Sequence, residues 1–285
     1  MNRYMRGMSF GGGARGEALD NEALFRACPS IFATEAHESR SARFAPVPTI
    51  NVVEGLRKEG FGVFFAQQAK TRQEGREGFT KHMLRLRHAD LTRGNGEAFE
   101  VILVNANDGS SAYQMIPGFF RFVCANGLMT GDTFNEVKVR HSGNAVGEVI
   151  EGAYTVLSEA PRVCGQVDAF KGIALASEEA RIFAEAAHVL RFPNADETPA
   201  PVSAERILDA RRHDDLGSDL WRTFNRAQEN IIRGGQSGRV IDANGRMRRA
   251  TVREVGGIDQ TKALNRALWT LTEKMAELKG VSLAA

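Results

Sequence analysis

The feature that most constrains this fold is the period-two alternation of residues 80–141, which glycine-containing turns interrupt at intervals. Such alternation is typical of β-strands with two different faces, because successive side chains point to opposite sides of a sheet. Residues 80–89 show it most clearly. One predicted face carries His82, Leu84, Leu86 and His88, and the other carries Lys81, Met83, Arg85 and Arg87.

Turn signals connect this strand to others in an antiparallel meander. An apolar run at 99–105 is followed by Asn107-Asp108-Gly109 and by a second run at 112–116, which predicts a hairpin. Pro117-Gly118 predicts a break or bulge in the second strand. Asn126-Gly127 predicts a tight turn with positive φ, and residues 137–141 alternate again.

Helix signals flank the meander. Thr49 predicts the N-cap of a helix that ends before Gly60, and residues 146–157 predict a second helix. In the second half, three further helices are predicted from 177, 218 and 259. A hairpin turn is predicted at 242–245, with Asn244-Gly245 as its two-residue connection. The sequence therefore predicts an α+β fold. An antiparallel β-meander flanked by helices is followed by a mainly helical C-terminal half with one β-hairpin.

Three regions follow from this pattern. Residues 1–45, rich in glycine and arginine around Gly11-Gly12-Gly13, predict a flexible N-terminal arm. Residues 46–160 form the predicted β-rich core, and residues 161–285 form the predicted helical region with the basic hairpin.

Cysteine usage and hydropathy indicate the compartment. The three cysteines are far apart and form no CxxC pair, which disfavours a disulfide framework or a zinc knuckle. No apolar run approaches the roughly 18 residues that a membrane span needs, and no signal-peptide pattern opens the chain. We expect a cytoplasmic protein that makes no membrane contact and needs no cofactor.

Three motifs that could carry chemistry are weak. Gly11, Gly13 and Gly16 spell GxGxxG without the preceding strand that a dinucleotide site requires. His82 and His88, six residues apart on one strand, lie about 20 Å apart and cannot share a metal ion. Cys124 and His141 could form a nucleophile and base, but no orienting third group is evident; a buried thiol is the competing interpretation.

Charge is the stronger signal, because the net charge of +2 is unevenly distributed. Residues 70–93 carry seven basic against three acidic side chains. Residues 221–253 carry eight arginines against Glu229 and Asp242. Within the second segment, Arg246 and Arg248 recur at even spacing on one side of the returning strand, while Arg249 falls on the other side.

Period-two placement also predicts a basic face on the sheet. Arg85 and Arg87 share one side of their strand, as do Lys138 and Arg140. Aromatic residues on neighbouring strands offer rings for base stacking, and they are Tyr113, Phe119, Phe120 and Phe122. The alternative is a solvated charged face over an aromatic core. The predicted nucleic-acid-binding residues are Lys81, Arg85, Arg87, Phe120, Arg121, Lys138, Arg140, Arg246, Arg248 and Arg249.

Several runs resemble the phage/plasmid-like protein family, which is domain of unknown function 932. They are residues 104–109 (VNANDG), 120–128 (FRFVCANGL), 138–142 (KVRHS), 220–225 (LWRTFN), 229–235 (ENIIRGG) and 264–269 (LNRALW). The resemblance spans about residues 20–280. It implies a gene carried by phages, plasmids or integrated elements, and it implies no reaction. The predicted order of helix, meander and helix is also similar to single-strand annealing proteins of recombination.

We expect a nucleic-acid-binding protein of such an element, which binds or anneals single-stranded DNA and can form homo-oligomers. One alternative is a protein-binding counter-defence factor that blocks a host enzyme. A less favoured one is an enzyme with a Cys124/His141 site. Salt-dependent oligonucleotide binding would distinguish the first hypothesis from the others.

Overall fold

The computed structural model describes residues 10–11, 17–35, 47–71, 75–93, 96–122, 126–131, 134–141, 144–242 and 244–283. These residues divide into two compact units. The first comprises the described parts of 1–130 and 134–161, and the second comprises those of 131–133 and 162–285. The fold is α+β with an antiparallel meander and a mainly helical C-terminal part, as the sequence predicted.

The first unit contains one antiparallel sheet of eight described strands. They are β1 (Phe10–Gly11), β2 (Phe61–Gln68), β3 (His82–His88), β4 (Thr92–Arg93), β5 (Glu97–Ala106), β6 (Ser111–Arg121), β7 (Asn126–Met129) and β8 (Val137–Val139). The main strand order is β1-β2-β3-β5-β6-β7, with β4 paired to β5 and β8 paired to β6.

Helices cover one side of this sheet, which we call the first face. The helices of this unit are α1 (Asn21–Ala27), α2 (Thr49–Lys58) and α3 (Ala145–Leu157). Helix α2 packs on β2, and α3 packs on β5, β6 and β8. The alternation in β3 holds, because Leu84 and Leu86 are buried on this face opposite Leu103 and Val101. The side of the sheet that carries Met83, Arg85 and Arg87 is the second face.

Part of the segment predicted as an arm is packed into the first unit. Leu24 in α1 and Ile31 in the following 3₁₀ turn are fully buried, and the Leu19 amide donates to the Val63 carbonyl. Residues 1–9, 12–16 and 36–46 of that arm lie outside the described residues.

Pro117 does not break β6, in contrast to the prediction. Residues Val101 and Glu100 of β5 remain in register with Pro117 and Gly118. On the other edge of β6, β7 begins its pairing at Gly118, while β8 pairs only with residues up to Met115. On that edge the Pro117 carbonyl accepts from the Thr130 amide at 3.1 Å, just after β7 ends. The missing N–H of Pro117 thus falls at the end of a short edge pairing, where proline is tolerated.

The second unit is helical apart from one hairpin. Its elements are α4 (Ala160–Lys171), which begins in the first unit, α5 (Ser177–Arg191), α6 (Leu220–Ile232), β9 (Ser237–Ile241), β10 (Met247–Thr251) and α7 (Ile258–Leu278). Helices α5, α6 and α7 pack against one another. Their aromatic core includes Phe224, whose ring stacks on Trp221 at 5.5 Å and meets Trp269 edge-on at 5.9 Å. The cap of α6 is Asp219 rather than Ser218, because its carboxylate accepts from the Arg222 amide.

Candidate nucleic-acid interface

Arg85 and Arg87 lie side by side on the second face, as the alternation predicted, but they are not solvated. They are only 5% and 7% exposed. The Glu100 carboxylate, from the neighbouring strand β5, forms an ion pair with both guanidinium groups, and its contact with Arg87 Nε measures 2.9 Å. The expectation that these arginines are solvated is therefore wrong. A charge removed from water needs a local counter-charge, and Glu100 supplies it.

Aromatic rings complete the enclosure of these arginines. The guanidinium carbon of Arg87 lies 4.3 Å from the Phe64 ring centre, 4.2 Å from Phe120 and 4.8 Å from Phe122. Arg85 also lies over Phe120, at 5.3 Å. The rings predicted to stack on bases thus stack on the protein's own guanidinium groups. Phe119 and Tyr113 are fully buried on the first face and offer no ring to a ligand.

Gly127 belongs to this enclosure and not to a turn. It lies in β7 opposite Phe120, and its φ is outside the left-handed region. A Cβ built on Gly127 would overlap the guanidinium group of Arg85. The prediction of a positive-φ turn at Asn126-Gly127 is wrong. The glycine is required there by space and not by backbone conformation.

The remaining predicted residues of the first unit are spread over the sheet. Arg121 points to the first face, where it is buried directly opposite Glu97. Lys138 pairs in register with Gln114 on the second face, its ammonium 3.9 Å from Glu136. Lys138 and Arg140 are exposed, whereas Lys81 is half-buried. The structure therefore does not bring these six basic residues into one solvated surface.

A buried polar network on the first face escaped the sequence analysis. The His82 ring is fully buried, with Nδ1 2.9 Å from Ser30 Oγ and Nε2 2.9 Å from Thr49 Oγ1. Asn105 donates to Thr49 Oγ1 at 3.0 Å, and the Tyr113 hydroxyl donates to the Val47 carbonyl at 2.8 Å. Thr49 therefore ties α2 to the sheet instead of capping the helix. The sequence pattern that could have predicted this network is a set of small polar residues at positions where the periodicity predicts buried apolar side chains.

Burial keeps this network uncharged. It lowers the pKa of His82 from 6.5 to about 4, and it raises the pKa values of Cys28 and Tyr113 to about 12. A neutral imidazole protonated at Nδ1 satisfies the contacts, with Nδ1–H facing Ser30 and the Thr80 carbonyl while Nε2 accepts from Thr49. A neutral, water-excluded cluster of this kind fastens α2 and the N-terminal segment to the sheet and offers no reactive group to a substrate.

Of the proposed pair Cys124 and His141, the structure describes only His141. Cys124 lies outside the described residues. His141 Nε2 lies 3.2 Å from the Ser111 carbonyl, and its ring packs 5.0 Å from that of Tyr113. Burial lowers the pKa of His141. Across the described part of the chain, no group of three or more His, Cys, Asp or Glu side chains could hold a metal ion.

The predicted basic hairpin is present in the second unit. Strands β9 and β10 pair antiparallel, with Ser237 opposite Thr251, Arg239 opposite Arg249 and Ile241 opposite Met247. These three pairs share one side of the ribbon, because directly opposed residues and every second residue point the same way. We call this side the open face. All its large side chains are exposed, with Ile241 at 59% and Met247 at 66%.

The connection of the hairpin is longer than predicted. Asp242 N donates to the Arg246 carbonyl, which leaves three connecting residues, of which the structure describes Asn244 and Gly245. The Asp242 carboxylate accepts from the amides of Asn244 and Arg246, and Gly245 has φ 74°. This is the three-residue loop with a left-handed glycine, and not the two-residue Asn-Gly turn. Arg246, Arg248 and Arg249 are exposed around it.

Arginines from other segments hold the base of the hairpin. Arg206 donates to the Ser237 carbonyl at 2.6 Å, and Arg191 donates to the Ile231 and Arg253 carbonyls at 2.9 Å. On the side opposite the open face, Gly238 packs so closely on the Pro201 carbonyl that a Cβ would overlap it. The base is therefore fixed, while the half that carries Ile241 and Met247 is exposed.

Seven of the eight arginines of segment 221–253 fall into two groups, and the eighth, Arg226, is half-buried and donates to Thr223 Oγ1 at 3.2 Å. Arg222 and Arg233 form ion pairs with Asp219 and Glu229 on the polar side of α6. On the hairpin, no described carboxylate forms an ion pair with any of the exposed arginines, which are Arg239, Arg246, Arg248, Arg249 and Arg253. The uncompensated positive charge of the segment is therefore concentrated on the hairpin.

Among the described helices, none is long and apolar enough to span a bilayer.

The chain matches one family model and is similar to two curated proteins. Residues 36–269 match the family described as "Domain of unknown function (DUF932)". Two proteins of Escherichia coli (strain K12) are similar over 261 residues, which is 92% of this chain and 93% of each relative. The UPF0380 protein YafZ is 46% identical, and the UPF0380 protein YfjQ is 45% identical. No solved structure matches the chain.

Proposed function

This chain belongs to the DUF932 family, and we propose that it binds nucleic acid through the exposed half of its β-hairpin, with single-stranded DNA favoured. The observation that carries the proposal is the set of exposed hairpin arginines that no described carboxylate neutralises. Arginine suits phosphate, because its planar guanidinium donates two parallel hydrogen bonds. The buried arginines of the sheet, Arg85 and Arg87, take no part in this binding, and the exposed Lys138 and Arg140 are secondary contacts.

The geometry of the hairpin supports this choice over a merely solubilising loop. Arg239 and Arg249 oppose each other directly across the ribbon, which is an unfavourable arrangement without an anion between or above them. A phosphate on the open face would be reached by both guanidinium groups. Hairpins of this kind also have precedent as nucleic-acid readers, since two-stranded ribbons enter grooves of the duplex.

The setting of the function is proposed on the sequence resemblance. We place the protein in the cytoplasm of a cell that carries a phage, plasmid or integrated element, where single strands arise during copying and recombination. Annealing of complementary strands is the activity to measure there.

Binding of labelled single-stranded and duplex oligonucleotides at about 50 mM and about 200 mM salt tests the proposal. The double variant Arg239→Gln/Arg249→Gln should bind single strands more weakly. The slope of log K against log salt should fall by about 1.4, because each phosphate contact contributes about 0.7 on a single strand. The matched control is Arg26→Gln/Arg181→Gln, which removes two exposed cations elsewhere and should leave the slope unchanged.

Parent-like binding by the hairpin variant would exclude the hairpin as the binding surface. Absence of binding by the parent at low salt would exclude the function itself. Stable capture of a host protein by a chain without oligonucleotide affinity would favour the protein-binding hypothesis.

A further inference from the structure

The tip of the hairpin carries two large apolar side chains that are exposed to solvent. Ile241 and Met247 are the last paired residues before the connecting loop, and both are more than half exposed. Their neighbours along the open face are Arg239 and Arg249. An apolar pair therefore stands next to a cationic pair, about 7 Å further along the ribbon.

This order of groups matches the chemistry of a nucleic acid strand. Phosphates carry the charge on one side of the sugar, and bases offer flat apolar faces on the other side. Isoleucine and methionine are among the residues that proteins insert between base steps. The methionine side chain is unbranched and adapts to irregular surfaces. Two apolar side chains are too few to bury a helix-sized apolar area in a lipid bilayer, which makes a membrane the weaker match.

We propose that Ile241 and Met247 pack against unpaired bases and that this pair gives the protein its preference for single strands. This inference rests on the proposed function, since Arg239 and Arg249 must first bring the strand to the open face. In a duplex, base faces are covered by their stacking partners, and a wedge has to unstack a step before it can enter. In a single strand, base faces are accessible at much lower cost.

The structure also holds the pair in a fixed place. The Asp242 carboxylate closes the loop beside it through the amides of Asn244 and Arg246. At the other end of the ribbon, the Ser237 and Thr251 hydroxyls lie 2.9 Å apart, and Arg206 binds the Ser237 carbonyl. A wedge works only if it does not fold back onto its own chain, and these contacts fix both ends of the ribbon.

The test compares the variant Ile241→Ser/Met247→Ser with the parent. The probes are an unstructured single strand and a duplex of about 20 units, longer than the 4–16 nucleotides that one module typically covers. The variant should lose about tenfold in single-strand affinity, while duplex affinity changes less than about twofold. Its salt slope should equal that of the parent, because no phosphate contact is removed.

The matched control is Ile182→Ser/Val189→Ser, which removes two equally exposed apolar side chains from α5. It should bind both probes as the parent does. Circular dichroism and the melting temperature should be unchanged in both variants, because all four side chains are exposed.

Three outcomes would overturn the inference. If the serine variant binds single strands like the parent while Arg239→Gln/Arg249→Gln is weakened, the wedge is excluded and the proposed function stands. Equal losses on single strands and duplex would exclude a role in strand preference. Loss of binding to anionic phosphatidylserine vesicles, without any effect on oligonucleotides, would assign the pair to a membrane surface. If the serine variant and Arg239→Gln/Arg249→Gln both bind the two probes like the parent, the inference and the proposed function are both excluded.

Discussion

At the scale of single residues, the arginines on the sheet have a structural role in a buried cluster instead of facing solvent. Arg85 and Arg87 share Glu100 in a buried cluster, and Phe64, Phe120 and Phe122 surround the Arg87 guanidinium. Solvated arginines at these positions could be replaced with little change in stability. With this burial, removing both arginines would leave the Glu100 carboxylate buried without these two counter-charges, and breaking a buried pair in this way typically costs about 3–5 kcal/mol.

The first prediction concerns Gly127, whose missing side chain provides the space for the Arg85 guanidinium. Gly127→Ala should lower the free energy of unfolding by about 3 kcal/mol, because overpacking displaces Arg85 from Glu100. Urea unfolding measures this change. Gly165→Ala is the matched control, because nothing lies within 4 Å of a Cβ there, and alanine in the α4 helix should be neutral or slightly stabilising.

A double-mutant cycle with Arg85→Met isolates the cause of that loss. Once Arg85 is shortened, Gly127→Ala should cost much less than in the parent background. Additive losses would show that the alanine acts on something other than the guanidinium.

The second prediction concerns His82, which folding holds neutral. Because its folded pKa of about 4 lies below the usual 6.5, the unfolded chain binds more protons between these values. The contribution to stability is complete above pH 6.5 and is lost as the pH falls towards 4, by about 3 kcal/mol in total. His82→Gln should be less stable at pH 7 and should show a correspondingly flatter decline. Urea unfolding at pH 7, 6, 5 and 4 measures both, and parallel pH profiles would refute the assignment.

At the scale of elements, the hairpin β9–β10 is fixed at its base by the rest of the second unit. A two-stranded ribbon alone is marginally stable in water. Here the Ser237 carbonyl accepts from Arg206, and Gly238 lies against the Pro201 carbonyl. These contacts with the rest of the second unit stabilise the ribbon. They explain how the exposed residues at its tip keep a defined pairing register.

The third prediction tests this support. Gly238→Ala should detach the base of the ribbon, because the new Cβ would meet a backbone oxygen that cannot move aside as a flexible side chain does. Amide hydrogens of residues 237–251 should exchange faster, and the free energy of unfolding should fall by about 1–3 kcal/mol. Gly256→Ala serves as the control, since open space surrounds that position. Equal exchange in the two variants would disprove the anchoring role of this contact.

At the scale of the whole molecule, the charge balance indicates that a nucleic acid would be attracted by a local basic surface and not by the net charge of the protein. The chain has 37 basic and 35 acidic side chains, so its net charge of +2 gives little long-range steering. Many surface cations are already in ion pairs, such as Arg181 with Glu178 and Lys274 with Glu277. Most of the salt dependence of binding is therefore expected from the hairpin.

The fourth prediction compares two variants that both change the net charge from +2 to −2. One replaces Arg239, Arg246, Arg248 and Arg249 by alanine, and the other replaces Arg26, Lys58, Arg181 and Lys274. The hairpin variant should lose about 3 units of salt slope on single strands, whereas the second variant should bind nearly as the parent does. Equal effects would mean that total charge, and not the hairpin, governs binding.

The sequence by itself determined the elements of this protein. The period-two pattern in β3 predicted which side chains share each face, and Asp108-Gly109 and Asn244-Gly245 marked two hairpins that the structure contains. These features are local, because strand faces and turns depend on neighbouring residues in the chain. The basic hairpin was predicted at 239–253 for the same reason, and the structure has its strands at Ser237–Ile241 and Met247–Thr251.

Only the tertiary structure decided which charges are free. Arg85 and Arg246 look alike in the sequence, yet one is paired with Glu100 from another strand and the other is exposed beside a loop. The roles of Gly127 and Thr49 likewise depend on partners more than 30 residues away, Arg85 and His82. Burial and counter-charge come from strands that meet only after folding. A local sequence pattern therefore does not predict which strand buries or neutralises a given side chain.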